Sequence, residues 1–464
     1  MARVRTLILT TLVVAGIAAP IGAGSATAQE QPAGLSASDN VRFVTNVPFR
    51  IKYPQSSRLS TDMDFMTQTL ERRRDEGAVA RITREYAFVG TYMNGMQVVD
   101  ITFPESPRVV AVYDCAIAQS DVFLFERPDL GRTFVAYSSD NIASQTDFSS
   151  RCHRENGVEP GQYGTFIIDV TQPTRPRSVS FIHFPGGTHQ VTVDPSGHWV
   201  YSSPADLPGT PPGDFHISDV TDPWNPVEPR AVPLLTGLDA HDIMFSEDGT
   251  RAYVGALTHS LIVDTTDPGN PQIIGRIIDP TVNIHHEAHA YTTVDELTGR
   301  EHSFLLVVDE FAGAAGNEVC PGGGIHVYDI TGGLERTPVK VGLFFVPEVG
   351  PVEGAGQGAA GLDRCTAHVM EIYPEHGIAT IAWYALGTRV LDLSGLVGLS
   401  AGVTEEMGSL GAGIREVAYA HFDDGDVWAT KTNRIEEDGT FYVYAADTAR
   451  MLDVFHVDLG AGDG

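Results

Sequence analysis

Six times along this chain a short apolar run ends in Asp, followed closely by Thr or Ser: MQVVDIT (96–102), TFIIDVT (165–171), FHISDVT (215–221), SLIVDTT (260–266), IHVYDIT (325–331) and TRVLDLS (388–394). A seventh copy, FYVYAAD (441–447), is degenerate. Four of the six continue with two spaced prolines, as in FPESPRVV, QPTRPRSV, DPWNPVEP and DPGNPQII. Proline cannot donate to a sheet ladder, so it marks where the strand stops. Residues 237–279 make one whole unit legible: strand GLDAHDIMF, tight turn SEDGT, strand RAYVGAL, strand HSLIVDTT, rigid turn DPGNP and strand PQIIGRIID. A four-stranded meander buries little alone, whereas seven around an axis leave few exposed edges.

The expected fold is therefore all-β, a seven-bladed β-propeller of four-stranded antiparallel blades spanning 57–458. Segment 29–56 contains the strand-like DNVRFVTNVPF (39–49), which competes with RMLDVFHVD (450–458) to close the ring; 459–464 read as a tail. Residues 66–84 are rich in charge and read as a solvated insertion in the first hairpin. The repeated Asp100, Asp169, Asp219, Asp264, Asp329 and Asp392 could recur as calcium ligands. The favoured role is to bond the backbone of the turn that follows.

Residues 1–28 read as a cleaved secretory signal: Arg3 and Arg5, an apolar run from Leu7 to Ile21 broken by Gly16 and Pro20, then Ala26-Thr27-Ala28. No later stretch is long and apolar enough to span a bilayer. The expected location is extracellular. A formal net charge of −30, with its acids scattered, opposes binding to nucleic acid or anionic lipid. Four cysteines in an exported chain read as two disulfides, and no Cys-x-x-Cys pair contests this.

From Tyr86-Ala87-Phe88-Val89-Gly90 through Asp392, the strand motifs resemble the LVIVD-repeat family of exported bacterial proteins. That resemblance implies a β-propeller. It implies no particular activity, because the family has no single one.

In such a meander the fourth-to-first and second-to-third connections leave on the same face. The long insertions 141–162, 311–322 and 349–364 all belong to those connections, and loops of this length are commonly functional. The same register makes neighbours of Cys115 and Cys152, and of Cys320 and Cys365.

Aligned on the strand that follows, His189, His241 and His368 each lie twelve residues before Tyr201, Tyr253 and Thr380. Unit five, NIHHEAHA (283–290), offers His286 by its following acid or His289 by distance. Units one and two offer Asp62 and Asp121; unit seven offers Arg415 or Glu416. Neighbouring blades would thus present one imidazole each where inner strands converge. Such a ring suits Cu, Fe, Zn or Ni, with Asp242 and Glu287 as general bases or as acceptors orienting the rings. A repeat also copies residues for structural reasons, so a shared capping role competes with metal binding.

The start AHDIMFSEDG is similar to the His-Asp inner strands of carotenoid cleavage oxygenases, and DGTRAYV to selenium-binding proteins related to methanethiol oxidase. Those likenesses imply a channel iron or copper. The functional expectation is a propeller with a transition metal (Cu, Fe or Zn), possessing oxidoreductase activity toward a small molecule. The alternatives are a non-catalytic protein- or glycan-binding scaffold and a lyase or hydrolase of an extracellular polymer.

Overall fold

In the computed structural model, the described residues are 31–53, 59–73, 79–204, 213–295, 298–311, 323–347, 365–398 and 413–460, with side chains 72–80 left aside. The segment 1–28 and Cys320 lie outside them.

Seven antiparallel sheets, each with four strands from the axis outward and one with a fifth, form a seven-bladed β-propeller. The inner strands of blades 1 to 7 are Ser60–Arg73, Val122–Arg127, Gln190–Val193, Asp242–Phe245, His285–Val294, Met370–Tyr373 and Val427–Lys431. The repeated motif is the third strand of blades 1 to 6. Its Asp performs the turn role in every copy: Asp100, Asp169, Asp219, Asp264, Asp329 and Asp392 each accept the N–H two residues on, at 2.8–3.1 Å.

Blade 7 corrects the seventh copy. FYVYAAD belongs to Thr440–Asp447, the second strand of its blade, and Met451–Asp458 is the third. The outer strand comes from the N-terminal side, Val41–Val47, so both competing segments share this blade and the chain closes the ring across its ends. Leu35–Ala37 adds a fifth strand to blade 6. The charged insertion expected at 66–84 falls in the first hairpin as paired strand on either side of 74–78, which lie outside the described residues. Ser60–Arg73 and Val79–Thr91 pair continuously out to Arg73 and Val79, extending the first hairpin beyond the other blades.

Burial lies between blades. Phe304 and Leu306 of blade 5 share one cluster with Ile381 and Trp383 of blade 6, and Val47 and Tyr444 of blade 7 meet Met63 and Ala87 of blade 1. Each sheet thereby covers its neighbour, which is how short strands of marginal individual stability become cooperative. No helix among the described residues is long and apolar enough to cross a membrane.

Insertion 141–162 carries a short helix, Arg151–Asn156, between the second and third strands of blade 2. Cys152 in that helix is disulfide-bonded to Cys115 at the blade 1 to blade 2 connection. Cys365 is also disulfide-bonded.

Candidate metal centre

The inner-strand entrances bring four histidines into an arc. Ring centroids are 4.3 Å apart for His189 and His241, 4.5 Å for His241 and His286, and 4.4 Å for His286 and His368. The four come from blades 3, 4, 5 and 6. Three of them are fixed alike, since the backbone N–H of His189, His241 and His368 donates to Ser203, Gly255 and Ala382 on the second strand of the same blade, at 2.7–2.9 Å.

His286 reaches the arc differently. The ladder of blade 5 pairs His285 with Asp309 and Glu287 with Val308, leaving His286 as the extra residue of a β-bulge. A bulge re-aims a side chain that a regular strand would turn away. The backbone there lies so close to blade 4 that a Cβ on Gly255 would stand 2.1 Å from the His286 carbonyl oxygen. His285 and His289 consequently leave the arc. His285 Nδ1 meets Ser260 Oγ at 2.7 Å, and His289 Nε2 lies 3.3 Å from Glu287 Oε2.

The remaining blades close the circle with other groups. Trp428 of blade 7 and Tyr384 each stand 4.5 Å from the His368 ring, and Tyr92 lies 6.1 Å from Trp428. The Tyr92 hydroxyl donates to Gln119 at 2.7 Å, and the Gln119 amide meets His189 at 3.2 Å. Glu310, at the end of the second strand of blade 5, faces the arc. Its carboxylate is 3.8 Å from His286 Nε2 and 3.7 Å from His368 Nε2, and it accepts the Tyr384 hydroxyl at 2.6 Å.

The imidazoles are electrostatically unequal. Burial, then the neighbouring rings, holds His241 and His286 well below the ordinary histidine pKa, so both are neutral at pH 7. Burial also acts against charge on His189, but Asp140, 3.2 Å from its Nδ1, together with Glu310 and Asp121 outweighs it and raises that pKa. His368 Nδ1 donates to the Trp428 carbonyl at 2.7 Å, which fixes the tautomer and leaves Nε2 with a lone pair. The Nδ1 atoms of His241 and His286 are buried without a hydrogen-bond partner. Such an atom costs about 1–3 kcal/mol unless something meets it.

His241, His286 and Glu310 offer ligand atoms within 4.8 Å of one another. Imidazole nitrogens bind Zn²⁺ at ~2.0–2.1 Å, so two rings at right angles on one ion have centroids about 4.5 Å apart, which is the spacing of each neighbouring pair here, while His189 and His368 stand outside that three-residue group. The cluster Cys115, Cys152 and His153 is different in kind: its sulfurs are joined, and His153 bonds Ser150.

A cavity of about 780 Å³ runs along the axis from the arc to the first-hairpin turns at Pro128, Ser196 and Glu247. Asp62, Asp121, Asp242 and Glu287 line it, as do Asp64, Glu371 and Lys431. Lys431 Nζ bonds Asp62 at 2.8 Å and lies 3.8 Å from Glu371. Burial pushes the Asp121, Asp242 and Glu287 carboxyls well above the carboxylate range, with like charge next at Asp121 and Asp242, and it raises Asp64 to about 6 against the opposing pull of Lys431. The unit-seven expectation is corrected: Arg415 and Glu416 lie on the outer strand of blade 6, Arg415–Phe422, bonded to Asp392 and Arg389. They were aligned to the wrong strand because the outer strand of blade 7 is borrowed from the N-terminal side. Glu310, Trp428 and Lys431 escaped the sequence reading. Only Glu310 carried a signal, an acid directly after the apolar run LLVVD and before a long insertion.

No family model and no curated protein matches the chain, so the LVIVD-repeat resemblance stands on the strand motifs alone. Among solved structures, the chain is similar to a functionally unknown protein from Desulfotomaculum acetoxidans, at 14% identity and TM-score 0.42, over 77% of this chain and 88% of that one. It is also similar to a periplasmic gluconolactonase from Pseudomonas aeruginosa, at 13% identity and TM-score 0.38, over 77% of this chain and 85% of that one. Neither likeness informs the site. The seven ringed sheets identify the chain as a seven-bladed β-propeller.

Proposed function

We propose that this protein is an exported, transition-metal-dependent oxidoreductase whose ion is held by His189, His241, His286 and His368 with Glu310 beside them. The observation that carries the reading is the arc itself: three buried imidazoles and a partly buried fourth, His189, from four consecutive blades, spaced 4.3–4.5 Å, with the Nδ1 of His241 orphaned. A donor set dominated by neutral imidazole favours Cu, Fe or Zn over Ca or Mg. Copper and iron would supply one-electron chemistry there. The axial cavity would admit a small molecule, and its acidic wall would disfavour an anionic one. The Cys115–Cys152 disulfide supports residence in an oxidising compartment.

Elemental analysis of protein purified without chelator tests the metal. Stoichiometric Cu, Fe or Zn that falls in His241→Ala supports the reading; metal-free protein that takes up none on loading overturns it. Oxygen uptake with thiols, phenols and apocarotenoids then tests the activity. A loaded protein inert toward every class, with only a zinc requirement for stability, would reduce the ion to a structural one.

A further inference from the structure

The inner edge of a propeller blade carries N–H groups that no further strand can meet, so side chains must accept them. Here the acceptor comes from the preceding blade. Asp64 accepts from Leu124 at 2.7 Å, Asp121 from Val191 at 2.8 Å, Gln190 from Ile243 at 3.2 Å and Glu287 from Met370 at 2.5 Å. Asp242 holds the same place in blade 4, directly after its histidine, as Gln190 and Glu287 do in blades 3 and 5. Blade 5, however, opens with the bulge at His286. Asp242 Oδ1 is left without a partner in a residue only 7% exposed, and His286 Nδ1 without one in a residue 3% exposed.

We infer that Asp242, His286 and Glu287 form a second cation site on the cavity side of the imidazole arc, for a divalent ion of the Mn, Fe or Zn class. A nitrogen of His286 and an oxygen from each acid lie within 4.8 Å of one another. Two carboxylates and one imidazole are a borderline-hard donor set, unlike the imidazole arc above it. Glu287 ligates through Oε2 while Oε1 keeps the Met370 N–H. His286 belongs to both donor sets and would bridge the two ions as an imidazolate, one nitrogen to each, its ring N–H proton passing to solvent as the second ion binds. A divalent charge would occupy both orphaned atoms. It would also relieve the crowding of Asp62, Asp64 and Glu371, which face Lys431 alone among the described lysines and arginines lining the cavity. Apart from His286 the site has its own residues, so it does not depend on the arc holding metal.

Purified protein stripped with EDTA is titrated with Zn²⁺ and with Mn²⁺, bound ion is counted by elemental analysis after gel filtration, and folding is checked by circular dichroism. Wild type should bind two Zn²⁺ per chain. Asp242→Asn and Glu287→Gln should each bind one, and His189→Ala/His368→Ala should bind one that is lost when Asp242→Asn is added. A folded Asp242→Asn or Glu287→Gln with wild-type stoichiometry overturns the site. A single wild-type ion lost in His189→Ala/His368→Ala and kept in Asp242→Asn leaves the arc standing and this site refuted. The converse pattern supports this site and refutes the arc.

Discussion

Replacing Lys431 by Met keeps the length of the side chain and removes the one lysine or arginine among the described residues lining the axial cavity. Its Nζ lies 2.8 Å from Asp62 and 3.8 Å from Glu371, and the Lys431 and Asp62 side chains are 13% and 16% exposed. At an effective dielectric near 20, each such pair attracts by roughly 4 kcal/mol at 4 Å. Taking one partner from a buried pair costs about 3–5 kcal/mol, because the other charge stays behind. The loss should depend on pH. Burial raises the Glu371 carboxyl, and Asp64 to about 6, while Lys431 opposes both shifts. Without Lys431 both carboxyls titrate higher still. A carboxyl whose folded pKa lies above its unfolded value contributes stability that is complete below the unfolded pKa and lost as pH rises through the folded one. Lys431→Met should therefore cost about 3–5 kcal/mol in urea unfolding of EDTA-treated protein at pH 8 and clearly less at pH 5. Equal losses at both values, or a loss under about 1 kcal/mol at pH 8, would refute a buried uncompensated cluster.

Gly255→Ala should push the His286 bulge away from blade 4, costing about 1–3 kcal/mol in thermal unfolding and weakening metal retention at least tenfold against a chelator. Unchanged retention would mean the arc tolerates displacement of His286. His286→Ala should abolish stoichiometric metal, whereas His289→Ala should keep it; equal loss in both would return His289 to the ligand set. Cys152→Ser opens a disulfide spanning 37 residues, and by loop entropy the stability should fall by about 3–4 kcal/mol, read as a lower urea midpoint. No shift would show that the helix Arg151–Asn156 is held by its packing alone.

The propeller was legible because its repeats advertise strand ends: an Asp that bonds the turn and prolines that stop the ladder. Where the chain breaks its own order, the motif misled. Blade 7 borrows Val41–Val47 from some 400 residues away, so FYVYAAD was assigned one strand too far outward and Arg415 was counted into the wrong blade. At the axis, a constant spacing of twelve residues placed His189, His241 and His368. Blade 5 departs from that spacing because of its longer hairpin and its bulge, and strand periodicity alone cannot say which residue a bulge ejects. Glu310 stands where the second strand of blade 5 runs into its long insertion, and Trp428 is the extra residue of a bulge in the inner strand of blade 7, so neither has a counterpart in the repeat. The inner-edge acceptors Asp64, Asp121, Gln190 and Glu287 differ in residue type, and their common task appears only when blades are seen side by side.

X-ray absorption at the edge of the bound metal tests the arc most directly. For protein as purified, the expected spectrum has a nitrogen shell at ~2.0–2.1 Å with multiple scattering from at least three imidazoles, diminished in His241→Ala and unchanged in His289→Ala. A shell of oxygen alone, or imidazole scattering indifferent to His241, would contradict a metal centre built on His189, His241, His286 and His368.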